Sequence, residues 1–423
     1  MARDGLVNVY QHHYRLRTLI PLMKKLIAVA ITLVMSAPTS HAMDPARVAP
    51  VVSSYAESAA LRSPAIQIID LSTGEVVYSR DAYRERKPAS TLKLITAVAA
   101  YTYLEPTARF STSVYMGTEK KSIVIQGSYD PWISYREPEA TKMGRTSLLK
   151  IGFNSIKAVR EKYNGSATGM TIYYSNLWPR DIANLKVFFK KRGLRPNIKR
   201  VSTDEAVLLS GEEIRSSQSP DLTTMVNWAL MWSDNDVSTN VAKLASQAAG
   251  NGLSAEGINK TFLKIFADMG IDSSRFFASD GSGLSGENKL TADLLAKVLV
   301  KSHSDPILSK IIDGLPVGGM TGTLRRRFIE TSPDAVGLVK AKTGTLKTTV
   351  SLAGYVESGD REYAFVIISD QIRIGAAYHA RAKAAVDRLL GRLAQPLAQA
   401  QRASTNMPNE MGASETVTGT VTS

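Results

Sequence analysis

Two side chains set the chemistry. Ser90 and Lys93 stand three residues apart in Pro88-Ala89-Ser90-Thr91-Leu92-Lys93, just ahead of the apolar run Leu94 to Ala100. The pattern predicts a helix that starts at Pro88 and Ser90, continues to about Tyr103 and is buried nearly all round. Ser90 then lies in a first turn, where unpaired backbone N–H groups favour negative charge, and Lys93 follows one turn on along the same face. A serine becomes a useful nucleophile only when a neighbouring base takes its proton. A lysine can serve once burial or another cation lowers its pKa. Ser90 is the candidate nucleophile and Lys93 its base. Ser147-Leu148-Leu149-Lys150 repeats the spacing, and a lone Ser-x-x-Lys equally describes an N-cap serine followed by a surface lysine. The central apolar helix after Ser90 separates the two copies, since Ser147 sits in a polar, lysine-rich segment.

Composition narrows the alternatives. The 423 residues contain no cysteine, which rules out thiolate nucleophiles, disulfides and Cys-ligated zinc. The five histidines are His12, His13, His41, His303 and His379. Too few remain beyond the N-terminal segment for a Ser-His-Asp triad or a multi-histidine metal site, which leaves a histidine-poor site of carboxylates as the alternative; neither metal nor cofactor is expected. A hydrolase built from this chain needs a base other than histidine. Lys24-Lys25, the short apolar run Leu26 to Met35 and small residues at Ser40 and Ala42 predict a secretory signal peptide over 1–42, with Met23 as an alternative start. The formal charge of +14 includes Arg3, Arg15, Arg17, Lys24 and Lys25 against Asp4, which leaves about +10 on the remainder. That balance points to an anionic polymer or membrane surface, or simply to a solvated basic face, and nucleic acid is not expected.

The elements that must position the two side chains follow in order. A first helix is predicted over Pro45 to Leu61, then a hairpin of Ala65 to Asp70 and Glu75 to Ser79. From about Glu105 to Ile214, strands at Ser111 to Met116 and Ser122 to Gln126, turns and a basic stretch from Lys186 to Arg200 suggest a separate α+β unit inserted into the chain. Asp221 to Trp232 reads as a helix interrupted by Ser233-Asp234-Asn235-Asp236 before a second helix, Val237 to Ala249. The interruption would aim Ser233 and Asn235 into a cleft, although a plain N-cap gives the same residues. Ser238-Thr239-Asn240 repeats the pattern inside the second helix. Asp280-Gly281-Ser282-Gly283-Leu284-Ser285 lacks the Gly-Lys-Ser/Thr ending of a phosphate loop. A strand from Leu338 ends in Lys342-Thr343-Gly344-Thr345 and opens a meander with Thr349 to Glu357 and Glu362 to Ser369. There the glycine would let a substrate backbone approach while Lys342 and Thr343 hold a carboxylate, unless Lys342 faces water. A helix over Tyr378 to Leu393 closes the fold, and 395–423 is polar enough to predict disorder.

Ser-x-x-Lys, Ser-Asp-Asn and Lys-Thr-Gly in this order are shared by β-lactamases and penicillin-binding proteins. The chain resembles the class C low-molecular-mass penicillin-binding proteins, the D-alanyl-D-alanine carboxypeptidase/endopeptidase family. The resemblance extends over Gln218-Ser219-Pro220, Asp280 to Ser285, Leu315-Pro316-Val317 and Gly322 to Phe328. It departs at Thr321, where that family usually carries an acidic residue, and inside the insertion, where little but Asp130-Pro131 matches. It implies an α+β fold: a penicillin-binding or serine β-lactamase-like domain over 43–104 and 215–394, its antiparallel sheet flanked by helices, with a smaller inserted α+β domain over 105–214. It implies a periplasmic serine peptidase that cleaves D-Ala-D-Ala ends or D,D cross-links of peptidoglycan stem peptides and is acylated by β-lactams. Ser90 would attack, Lys93 would take its proton, and Lys342 would keep Lys93 partly neutral by like-charge repulsion. Ser233 would pass a proton to the leaving amine, and Asn235 would hold Lys93 and the substrate. Thr343, Gly344 and Thr345 would bind substrate, and the N–H groups of Ser90 and Thr345 would form the oxyanion hole. A β-lactamase or esterase of the same fold, and a non-catalytic wall-binding protein, are the rival readings.

Overall fold

The computed structural model describes residues 45–394; the expected signal peptide and C-terminal tail lie outside them. Helix α1 (Pro45–Ala56) is followed by strands β1 (Ala65–Asp70) and β2 (Val76–Arg80). A 3-10 turn, Ala89–Leu92, leads directly into α2 (Lys93–Tyr103). The first helix therefore stops short of the predicted Leu61, and Ser90 sits in a tighter turn than expected, with Lys93 as the first residue of the α-helix proper. Next come β3 (Ser111–Gly117), β4 (Ser122–Gly127), α3 (Glu137–Met143), α4 (Leu148–Lys162), β5 (Thr171–Ser175), α5 (Pro179–Lys190), β6 (Asn197–Arg200), α6 (Thr203–Leu209) and β7 (Ser210–Gln218). Helices α7 (Leu222–Trp232), α8 (Asn235–Ala248), α9 (Ala255–Asp268) and α10 (Ala292–Ser304) precede β8 (Val339–Leu346), β9 (Thr349–Ser358), β10 (Arg361–Ser369) and α11 (Ala376–Ala394).

The strands form two sheets. The first has the order β2-β1-β10-β9-β8 and is antiparallel throughout. Successive side chains of a strand point to opposite faces, and here both faces are covered. Ala65 and Ile69 of β1, with Ala364, Val366 and Ile368 of β10, pack against α2, α7, α8, α9 and α10. Ile66 and Ile68, with Phe365 and Ile367, pack against α1 and α11. Helix α2 lies inside the larger core, buried from Lys93 to Tyr101, so the predicted all-round burial is met.

The second sheet, β6-β5-β4-β3-β7, is built within 111–218. Its β4, β5 and β6 run parallel, as expected of strands joined by helical crossovers, and α4 and α5 cover one face. Gly152 of α4 lets those helices touch, because a Cβ there would fall 2.4 Å from the Phe188 ring. Strand β7 carries this sheet past residue 214. Among the described residues no helix is long and apolar enough to cross a membrane.

Candidate active site

Ser90 is presented by a strained turn. Ala89 just before it has φ +51°, a left-handed conformation that costs a non-glycine residue on the order of 1–3 kcal/mol. The Pro88 carbonyl anchors the turn by accepting from Thr91 Oγ1 and from Ser351 Oγ of β9, each at 2.7 Å. Gly283 approaches from the other side, where a Cβ would lie 1.8 Å from the Ala89 carbonyl oxygen. The loop at 280–285 is thus pressed against the turn that carries the serine.

The Lys93 amine lies within hydrogen-bond distance of three oxygens. It is 3.0 Å from Ser90 Oγ, 2.7 Å from Asn235 Oδ1 and 2.7 Å from the Ser282 carbonyl. The lysine is 1 % exposed. Burial pushes its pKa down to about 7, against the opposing pull of the Asp280 and Asp234 carboxylates. A neutral amine has two N–H groups and one lone pair. Carbonyl oxygens can only accept, so Asn235 and Ser282 engage the two N–H groups and the lone pair is left facing the Ser90 hydroxyl. That geometry suits removal of the serine proton. His303 bonds Glu362 and His379 bonds the Lys347 carbonyl, so neither described histidine is engaged with Ser90.

The Ser282 carbonyl is a contact the sequence reading missed, because a backbone oxygen has no residue signature. Asp280 holds it in place by accepting from the N–H groups of Ser282 (2.6 Å), Gly283 (2.6 Å) and Ser285 (2.7 Å) and from Asn288 Nδ2 (3.2 Å). Thr96 of α2 donates to the Gly281 carbonyl at 2.6 Å. The recognisable clue was the Gly-rich loop itself, which carried no assigned role.

Ser233 ends α7 in the left-handed region, φ +61°, and remains half-buried. Asp234 then caps α8 by accepting from the N–H groups of Asp236 and Val237, both at 3.1 Å. Helix α8 therefore begins at Asn235 rather than at the predicted Val237, which fixes Asn235 on its first turn, facing Lys93. Ser238, of the second Ser-x-Asn pattern, is buried and donates to the Asp234 carbonyl at 2.6 Å.

Lys342 does not face water: it is fully buried, and its amine donates to the Thr343 carbonyl at 3.0 Å. Its pKa lies well below the usual lysine range, first from burial and then from the Lys93 charge. For Lys93 itself burial is the leading cause, which revises the expectation that Lys342 would do that work. Lys342-Thr343-Gly344 stands within β8 instead of ending it. The glycine also has a different cause from the one expected: a Cβ at Gly344 would fall 2.1 Å from Ser351 Oγ and 2.9 Å from the Pro88 carbonyl. What comes close to it is the Ser90 turn of the same chain. Thr343 Oγ1 bonds Thr323 at 2.9 Å, and Thr345 is exposed. Thr321 accepts from the Val317 N–H at 2.9 Å, fixing the turn before Thr323.

Strand β8 is the sheet edge. The Ala341 N–H donates to the Pro316 carbonyl, and the Val339 carbonyl accepts from Gly318, so these residues turn their backbone groups away from β9. By the alternation of antiparallel strands Thr343 and Thr345 turn theirs the same way. Beside Asn235 and Ser282 opens a pocket of about 520 Å³, lined also by Leu284, Tyr135, Arg180 and Asp181. Burial and the neighbouring Asp130 raise the Asp181 pKa to about 7.

The family model described as "D-Ala-D-Ala carboxypeptidase 3 (S13) family" matches residues 49–162 and 180–393. "Carboxypeptidase DacB" of Mycolicibacterium smegmatis is 28% identical over 74% of this chain and 78% of its own length. The "D-alanyl-D-alanine carboxypeptidase" of Actinomadura sp. strain R39 is 23% identical over 74% of this chain and 80% of its own. In fold the chain resembles the crystal structure of penicillin binding protein 4 from Haemophilus influenzae, with TM-score 0.60 and 16% identity over 81% of this chain and 99% of that one. Because that family match covers more than half of the chain, including every element around Ser90, the chain belongs to the D-Ala-D-Ala carboxypeptidase 3 (S13) family.

Proposed function

We propose that Ser90 is the acylated nucleophile of a serine peptidase acting on peptidoglycan stem peptides, with Lys93 as its base. The observation that carries this reading is the three-way environment of the Lys93 amine, which aims its lone pair at the Ser90 hydroxyl. In the forward reaction the Ser90 proton passes to Lys93, the Oγ–carbon bond forms, and the amide carbon–nitrogen bond breaks. The leaving D-alanine, or the amine of a cross-linked partner strand, takes up a proton through Ser233. Asn235 holds the base and the substrate amide. The N–H groups of Ser90 and Thr345 stabilise the oxyanion, an effect worth about 100–1,000-fold in rate for each donor. Lys342 and Thr343 face the substrate carboxylate, and Gly344 keeps β8 against the nucleophile turn. Water then releases the acyl-enzyme, and β-lactams acylate the same serine.

In this reading the first sheet and its helices form the catalytic domain, and the unit built on the second sheet is an insertion that closes one side of the cleft. The work belongs in the periplasm, after removal of 1–42. The basic balance of the chain would hold it against anionic wall polymers or a membrane surface, which salt-dependent sedimentation with isolated wall fragments would reveal. The test of function is direct. A stem pentapeptide ending in D-Ala-D-Ala should release one D-alanine per turnover, a D,D-cross-linked dimer should be split, and Ser90→Ala should do neither. A wild-type chain inert toward both substrates and toward penicillin contradicts the assignment.

A further inference from the structure

Arg145 joins the unit built on the second sheet to the Ser233–Asn235 turn. It lies between α3 and α4, and its side chain is 5 % exposed. Its Nη2 donates to Asp234 Oδ2 at 2.6 Å, and its guanidinium stacks 4.3 Å from the Trp132 ring and 5.8 Å from that of Trp228. The two indoles meet edge to face at 5.9 Å, and Trp228 Nε1 donates to the same Asp234 oxygen at 3.3 Å. The clamp is itself held from behind. Buried Asp130 accepts from the Trp132 N–H at 2.7 Å and from the Thr146 hydroxyl at 2.9 Å, so one carboxylate fixes Trp132 and the neighbour of Arg145. Asp234 meanwhile spends its other oxygen on the first turn of α8, the turn that presents Asn235 to Lys93.

We propose that Arg145 is a positioning residue for acylation: by fixing the Asp234 carboxylate it sets the Ser233–Asn235 turn against Lys93, so the catalytic geometry depends on the second-sheet unit. This rests on Ser90 as the nucleophile. An arginine that both stacks and pairs is poorly replaced by lysine, whose ammonium restores the charge but not the planar contact. The pairing also matters for charge. The titratable groups facing Lys93 are Lys342 from β8, Asp280 from the Gly-rich loop and Asp234 from the α7–α8 turn. Burial pushes the Asp234 carboxyl up, but Arg145 and the hydrogen bonds outweigh it and keep the group ionised. Arg145 in turn offsets the negative field of Asp234 at Lys93. Its loss should leave that field stronger and make Lys93 harder to deprotonate.

The experiment is the acylation rate of the full chain by a fluorescent penicillin as a function of pH, for wild type, Arg145→Met, Arg145→Lys, Asp234→Asn and the double variants. Wild-type acylation at Ser90 is measured first, so that failure of the underlying assignment is recognised separately. Arg145→Met should acylate about ten- to a hundredfold more slowly, the loss expected for one buried charged hydrogen bond, with its acid limb moved to higher pH. Arg145→Lys should return the acid limb toward wild type while recovering only part of the rate. Asp234→Asn keeps the capping oxygen, so adding Arg145→Met to it should change little. Should Arg145→Met not fold, Arg145→Lys with and without Asp234→Asn supplies the same cycle. Wild-type rate and acid limb in the arginine variants, or an equal loss with and without Asp234→Asn, would overturn the proposal.

Discussion

The two Ser-x-x-Lys segments have the same spacing and opposite fates. Ser147 is the N-cap of α4: its backbone is extended, its Oγ accepts from the Lys150 N–H at 3.0 Å and also bonds Glu137, and the Lys150 amine turns outward to Glu137 at 3.0 Å. Ser90 is one step further in. It lies inside a helical turn with no side-chain cap, so its hydroxyl is not consumed by backbone, and the helix behind it is buried on every side. Spacing brings a lysine one turn from a serine in both cases. Only burial turns the amine inward, lowers its pKa to about 7 and leaves the hydroxyl as its partner.

The sharpest way to break that contrast is to delete each hydroxyl. Ser90→Ala should abolish acylation by labelled penicillin. Ser147→Ala should leave acylation within about twofold and remove about 1 kcal/mol of stability through the lost cap, read by thermal denaturation. Next are the amines. Lys93→Met should slow acylation by about 100–10,000-fold, the usual worth of a general base, whereas Lys150→Met breaks an exposed pair worth at most about 1 kcal/mol and should not alter the rate. Such a difference between two lysines is meaningful only if one is neutral. Acylation of wild type should accordingly rise with pH through about 7, where Lys93 loses its proton; a flat profile from pH 5 to 9 would contradict the lysine base.

Smaller effects test the neighbouring strand. Lys342→Ala should impair carboxylate-ended peptides more than esters, and equal losses on both would argue against its carboxylate role. Lys342→Met should at the same time stabilise the fold by on the order of 1 kcal/mol in chemical denaturation, because an apolar side chain replaces a fully buried amine. The sign follows from the depressed pKa: the folded state disfavours the charged amine, so below the ordinary lysine range Lys342 weakens folding, and more so as the pH falls.

The sequence revealed elements whose burial shows in their pattern. The apolar α2, strand β1 and the β8–β10 meander were legible because one or both faces are packed. Strand β7, Ser-Gly-Glu-Glu-Ile-Arg-Ser-Ser-Gln, was not, since it is largely exposed and is held by pairing along β3. In the site, Ser90, Lys93 and Asn235 could be named from residue type. The Ser282 carbonyl could not, and the reason for Gly344 emerged only when the Pro88 carbonyl was found against it. Arg145 gave no signal at all, because its partner Asp234 lies 89 positions away in the chain.

The most direct measurement is peptide mapping by tandem mass spectrometry after brief exposure of the wild-type chain to penicillin. A single adduct on Ser90, absent in Lys93→Met on the same timescale, is the predicted result. An adduct on Ser147 or elsewhere, or equal labelling without the Lys93 amine, would contradict a buried lysine acting as the base for this serine.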